Sequence, residues 1–429
     1  YDYSDEDMRM GGAVQSSQDG RIVAVIGGRN YNFGNYNYAT QKQQPGSSVK
    51  PFLDYGLAFE NLDWSTGHSI NDDDYYNGKF KNWDRQFHGL VTVENALENS
   101  WNIPAIKTFD EVQQKIGSDK IQEAMESIGI SMNKENIGLA SAIGWSYGIS
   151  PLEMAGAYAT ISNNGLYTES HTINYVEVVQ TGETFNIDEE IQNNAKQSAY
   201  SKASAFMVRQ VMLDYTKNGS GNYAYVSGIE NVGAKTGTSN WSSTAKNGMA
   251  GKSRDLWMSA YTSDYICSVW MGFGQEGIEK GKTTSRYKAY PGKVVQTLLK
   301  HLQSKKGDKS YPSQPSTVVK DGDDYYKKGT KHEGHAAISE ETTEETQTEE
   351  NQTNTNENQS SETNNNSNNQ NNNSNTNTEN NGSSNNGTST DNSGTSSGTT
   401  GGNTSGGSSG GNSSSSSGES SQPNPNTNQ

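Results

Sequence analysis

The composition of the chain changes at about Lys331, and that change limits what can fold. From there to Gln429 the sequence is almost entirely Asn, Ser, Thr, Gly, Glu and Gln. It has no Phe, Trp or Tyr, and no aliphatic side chain larger than alanine apart from Ile338. Such a segment cannot bury enough apolar surface to offset the entropy of ordering it, so residues 331–429 are expected to be a disordered tail. The foldable part is then roughly the first 310 to 330 residues, enough for one large domain with a substantial core. The expected organisation is one domain over 1–310, a C-terminal extension or linker over 311–330, and the tail over 331–429.

Charge divides in the same way. Residues 331–429 hold 12 acidic side chains and one lysine, a net of −11, which leaves −5 for the first 330 residues of the total of −16. The acidity is mainly a property of the tail, and no basic stripe of the kind that binds nucleic acid is present. The single cysteine, Cys267, excludes an internal disulfide and lies in an apolar run where a buried structural thiol is expected. The six histidines are scattered without a motif, so neither a thiol catalyst nor a metal centre is indicated, and no cofactor is expected. Asp72-Asp-Asp74 reads as a solvated acidic loop. No run of about 20 apolar residues could span a membrane. The chain starts at Tyr1 rather than methionine, which reads as a piece of a longer protein whose anchor could lie upstream.

Two stretches read as hairpins. Ala13 to Gly28 has strands on either side of an Asp19-Gly20 turn, and Leu256 to Phe273 has strands on either side of Thr262-Ser-Asp264. Between them lie helical patterns: Val49, Phe52, Leu53 and Leu57; Ile121, Met125 and Ile128 after a capping Ser118; Leu152 to Ile161; and Ala203 to Leu213. Val294 to Leu302 reads as a terminal helix. Strands at both ends with helices between them predict an α+β domain. The two hairpins would join in one mostly antiparallel sheet packed against helices.

Three short motifs carry chemistry. Ser47-Ser-Val-Lys50 begins a predicted helix, with Gly46 ahead and Pro51 in the first turn. Residues three apart on a helix bring their Cβ atoms to about 5–6 Å, so Lys50 can take the proton of a Ser47 nucleophile. The helix N-terminus also favours an oxyanion forming there. A lysine base needs its pKa lowered by burial or a nearby cation, and Lys235 is the expected cation. Ser100-Trp-Asn102 falls between two helical stretches; Ser100 suits proton relay and Asn102 a substrate amide. Lys235-Thr-Gly-Thr238 is the only Lys-Thr-Gly in the chain. Lys235 with Thr236 or Thr238 suits a substrate carboxylate, Gly237 lets a backbone approach, and the N–H of Thr238 can join that of Ser47 in an oxyanion hole. Ser243-Thr-Ala-Lys246 repeats the first pattern inside a polar loop and is taken as a decoy. Ser69-Ile-Asn71, Ser131-Met-Asn133 and Ser162-Asn-Asn164 repeat the second.

This ordered set resembles the transpeptidase domain of class A (bifunctional) penicillin-binding proteins of Gram-positive type. The likeness extends to Gln44-Pro-Gly-Ser-Ser-Val-Lys-Pro51, Asn99-Ser-Trp-Asn-Ile-Pro-Ala105, Ser150-Pro-Leu-Glu-Met-Ala-Gly-Ala-Tyr158 and Gly233-Ala-Lys-Thr-Gly-Thr-Ser-Asn240, covering about residues 10–310. The resemblance implies a serine D,D-transpeptidase that cross-links peptidoglycan stem peptides ending in D-Ala-D-Ala and is acylated by β-lactams. D,D-carboxypeptidase activity would be a side reaction. It implies Ser47 as nucleophile, Lys50 as base, Ser100 and Asn102 as the relay and substrate-contact pair, and Lys235, Thr236, Gly237 and Thr238 as the carboxylate and oxyanion strand. It further implies a parent protein anchored at the outer face of the cell membrane, carrying a glycosyltransferase domain and working with divisome or elongation proteins. One departure is Val49, where many relatives carry Phe or Met. The rival readings are a serine β-lactamase and a non-catalytic β-lactam sensor. The Glu-x-x-Leu-Asn loop of a class A β-lactamase is missing downstream of Asn102.

Overall fold

The computed structural model describes residues 5–304 and 311–330, apart from Phe33, Val226, Gly228 and Glu230. The predicted disordered tail, 331–429, lies outside the described residues.

Five strands form the central sheet: β1 (Met8–Ser16), β2 (Ile22–Ile26), β3 (Gly233–Asn240), β4 (Ser253–Tyr261) and β5 (Tyr265–Phe273), in the order β2-β1-β5-β4-β3. All pairings are antiparallel. The two predicted hairpins do join: β1 runs along β5 from Met8 opposite Phe273 to Ser16 opposite Tyr265. At the first turn Gly20 takes φ +76°, the left-handed conformation that glycine adopts without a Cβ clash.

The sheet is covered on both faces, which explains why β5 is buried along almost its whole length. Cys267, Val269 and Met271 alternate into one core with Leu256, Met258 and the terminal helix residues Val295 and Leu299. Ile266 and Trp270 face the opposite core, with Trp257, Tyr261 and the helices. Each such side chain contributes about 1.5–3 kcal/mol when fully buried. Three helices build that second layer: α1 (Asn102–Glu126), α2 (Pro151–Ser162) and α3 (Lys202–Asn218); α4 (Tyr290–Gln303) covers the other face. Ser150 and Glu153 close a capping box at the start of α2. The predicted helix after Ser118 is the second half of α1, which breaks at Gly117 (φ 79°, ψ 164°). Among the described residues no helix is long and apolar enough to cross a membrane.

One reading changes. Asp72 is not part of a solvated loop: it is fully buried, accepts both carboxylate hydrogen bonds from Asn82 Nδ2 (2.9 and 2.7 Å) and takes another from the His88 N–H at 3.2 Å. Residues 311–330, expected as a C-terminal extension or linker, carry a hairpin, β6 (Val318–Asp321) and β7 (Asp324–Lys327), joined to the helical layer. Thr66 and Tyr325 exchange backbone and side-chain hydrogen bonds at 2.9 and 3.0 Å, and Val318 enters the main core. The buried Arg209 guanidinium holds Pro312 O at 3.0 Å, together with Ser162 O and Asn164 Oδ1. The Asp321-Gly322 turn between Val318 and Tyr325 was the available sequence signal.

Candidate active site

Ser47 sits in a turn formed where three backbone segments meet. Gly46 has φ +56°, and a Cβ there would lie 2.5 Å from Thr238 O. A Cβ on Gly237 would lie 2.3 Å from Pro45 O, and one on Gly144 (φ +70°) 2.5 Å from Gly46 N. Only glycine permits these approaches. They bring the Lys-Thr-Gly strand β3 against the Ser47 turn.

The turn does not continue as the regular helix expected. Gly46–Val49 is 3-10 helix, Pro51–Gly56 is π-helix, and Leu57–Asn61 is α-helix. Pro51 has no N–H to offer the Ser47 carbonyl, so the Lys50 N–H takes that carbonyl in a tighter turn. Ser48 Oγ donates to Pro45 O at 2.6 Å and the Tyr158 hydroxyl donates to Ser48 O at 2.7 Å, which pins the turn from below.

Lys50 is fully buried. Its Nζ donates to Ser100 O (2.8 Å), Trp101 O (2.8 Å) and Asn102 Oδ1 (3.0 Å). Burial pulls its pKa from 10.5 to about 7, with the neighbouring Asp54 charge opposing. Lys235, also fully buried, donates to Ser100 Oγ at 2.8 Å and to Thr236 O at 3.1 Å, and lies 4.7 Å from the centre of the Tyr215 ring. Burial first, and then the Lys50 charge, hold it well below the usual lysine range. Desolvation is the first cause for both lysines, and the mutual repulsion of the two ammonium groups acts in the same direction.

Ser100 joins the two lysines, with its carbonyl on Lys50 and its hydroxyl on Lys235. It does so in the left-handed region, φ +55°, a conformation that costs of order 1–3 kcal/mol in a non-glycine residue. Asn102, read from sequence as a substrate contact, uses Oδ1 on Lys50 and donates Nδ2 to Lys81 O at 3.0 Å. Thr236 Oγ1 pairs with the Tyr215 hydroxyl at 2.7 Å, whereas Thr238 is exposed beside the Ser47 turn. Ser47, Lys50, Ser100, Asn102, Lys235, Gly237 and Thr238 thus converge, and Thr236 is turned toward α3.

The decoys fall elsewhere. Ser243 and Lys246 are exposed in a turn, Ser162 and Asn164 bind Arg209, and Asn133 caps a short 3-10 turn. Sequence reasoning missed Tyr215, Asp54 and the loop 81–88. Asp54, four residues after Lys50, was visible in the helical spacing; the other two have no local signal.

Residues 10–283 match the family described as penicillin binding protein transpeptidase domain. Penicillin-binding protein 1A/1B of Bacillus subtilis (strain 168) is 35% identical over 325 residues, covering 73% of this chain and 34% of that protein. Penicillin-binding protein 4 of the same organism is 31% identical over 271 residues, 62% of this chain and 40% of the relative. The chain therefore spans between a third and two fifths of the length of these relatives. In fold it is similar to the PonA1 protein from Mycobacterium tuberculosis in complex with penicillin V, with a TM-score of 0.60 at 21% identity over 73% of this chain and 82% of that one. Penicillin-binding protein 1A from Haemophilus influenzae gives a TM-score of 0.59 at 22% identity, over 77% of this chain and 55% of that one. With three motifs converging on Ser47 and the family pattern matched over 10–283, the chain belongs to the penicillin-binding protein transpeptidase domain family.

Proposed function

We propose that this domain is a serine D,D-transpeptidase that cross-links peptidoglycan stem peptides ending in D-Ala-D-Ala, and that β-lactams acylate the same serine. The observation that carries the reading is the pair of buried lysines meeting at Ser100 beside the Ser47 turn. A lysine titrating at 10.5 would be neutral in about one molecule in 3,000 at pH 7, whereas one titrating near 7 is neutral in about half. The site thereby gains about three orders of magnitude in available base.

In the proposed reaction, Ser47 Oγ attacks the penultimate D-Ala carbonyl as its proton passes to neutral Lys50. The backbone N–H groups of Ser47 and Thr238 hold the tetrahedral oxyanion; losing one such donor costs about 3 kcal/mol. The C–N bond then breaks, and the departing D-Ala amine takes the proton that Lys50 accepted from Ser47. An amine from a neighbouring strand attacks the Ser47 ester, gives up its proton along the reverse route and restores the serine. Water in place of the amine gives carboxypeptidase side activity. Lys235 and Thr238 bind the terminal carboxylate, with Thr236 supporting the strand through Tyr215. Asn102 holds Lys50 as well as bordering the substrate.

The domain runs to about residue 330 in this reading, because the 311–330 hairpin packs into its core. The parent protein is proposed to be membrane-anchored, facing the cell wall, and to carry a glycosyltransferase. The test is labelling with a fluorescent penicillin. Ser47→Ala is expected to abolish a long-lived covalent adduct in a folded protein. Labelling that persists, or moves to Ser243, refutes the assignment, and adduct turnover within seconds would make the domain a β-lactamase.

A further inference from the structure

The proposed chemistry needs Ser100 and Asn102 held against Lys50, yet α1 begins without a cap of its own. Its N-cap residue, Trp101, makes no side-chain cap hydrogen bond. The first two N–H groups of the helix, those of Asn102 and Ile103, instead donate to Asn82 Oδ1 at 2.8 and 3.0 Å. This is an N-cap supplied by a distant loop.

The cap is anchored from behind. Asn82 is 3% exposed, and its Nδ2 donates to both carboxylate oxygens of buried Asp72 and to Gln86 O at 2.8 Å. The amide can face only one way, because a flip would set its oxygen against a carboxylate and its NH₂ against two N–H donors. The rest of the loop grips the same turn. Lys81 O accepts from Asn102 Nδ2, Trp83 Nε1 donates to Asn99 O at 2.9 Å, and Asp84 Oδ2 accepts from Trp101 Nε1 at 3.2 Å. The His88 ring stacks on Trp101 with centroids 3.9 Å apart. Ser100, at φ +55°, is thus held in its costly conformation by contacts on both sides.

We infer that Asn82 is a positioning residue for acyl transfer. Anchored on Asp72, it caps α1 and so sets where Asn102 and Ser100 meet the two lysines. The inference rests on the acyl-transfer reading of Ser47.

The test is a double-mutant cycle on the rate of Ser47 acylation by a fluorescent penicillin, with thermal denaturation of every variant. A misplacement of about 1 Å costs on the order of a hundredfold in rate, so Asn82→Ala is expected to slow acylation by at least about tenfold. If Asn82 acts through Asn102, the same substitution in an Asn102→Ala background costs less than about threefold. Equal losses in the two backgrounds, or a folded Asn82→Ala protein with wild-type acylation, overturn the inference. Should Asn82→Ala fail to fold, the exchange Asp72→Asn with Asn82→Asp decides. It leaves an oxygen facing the helix and an amide donor behind it, giving up only the hydrogen bond to Gln86 O, and is expected to acylate within about tenfold of wild type. A folded exchange variant slower by a hundredfold, or one that also fails to fold, overturns it too. If the unaltered protein is never labelled at Ser47, the acyl-transfer reading has failed instead.

Discussion

Acylation of Ser47 should follow the deprotonation of Lys50, and the structure sets the pH at which this happens. Lys50 is fully buried, and desolvation lowers its pKa from 10.5 to about 7. With the neutral amine as the proposed base, the rate should be level above about pH 8 and half-maximal near 7. It should then fall about tenfold per unit below 6, as the neutral fraction drops from about 10% at pH 6 to about 1% at pH 5. The folded value lies below the unfolded one, so folding excludes a proton from Lys50 between about 7 and 10.5. This group therefore lowers stability at neutral pH, and the penalty is relieved as pH rises through that window. Asp54→Asn separates Lys50 from Lys235. The Asp54 carboxyl is buried without a hydrogen-bond partner among the described residues; burial pushes its own pKa well above the usual carboxylate range, and its ionised form supports the Lys50 ammonium. Removing it should move the acidic limb to lower pH. The assay is the second-order rate of labelling by fluorescent penicillin between pH 5 and 9, on protein shown to be folded throughout. A flat profile, a midpoint near 10, or an upward shift in Asp54→Asn would refute Lys50 as the base.

Gly237→Ala places a Cβ 2.3 Å from Pro45 O and 2.9 Å from Ser48 Oγ. It should cost about 1–3 kcal/mol of stability and slow acylation at least about a hundredfold; wild-type labelling kinetics would contradict the proposed packing of β3 on the nucleophile turn. Ending the chain after Thr330 should leave the melting temperature and labelling unchanged. Ending it after 310 removes Val318 from the core and the half-buried Tyr311 and Tyr325 packed against it, and should cost a few kcal/mol at about 1.5–3 for a fully buried side chain, read by denaturant unfolding. Ser243→Ala should leave the labelling rate within about twofold, since that hydroxyl is exposed in a turn.

Features that depend only on neighbouring residues were legible along the chain. The Asp19-Gly20 and Thr262–Asp264 turns, the alternation of Cys267, Val269 and Met271 with Ile266 and Trp270, and the helix faces all follow from local backbone preferences and side-chain period. The acyl-transfer motifs were legible for the same reason: each is a few consecutive residues, and Lys235-Thr-Gly occurs once. How those motifs are tuned and held follows from the packing of the whole domain. Burial is a property of the whole packed domain, so the lowered pKa of Lys50 cannot be read from spacing. The Asn82 cap and the Arg209 clasp on Pro312 join residues 20 and 103 positions apart. Such contacts depend on how the layers close, because hydrogen-bond partners in a fold are selected by proximity after packing, not by order along the chain.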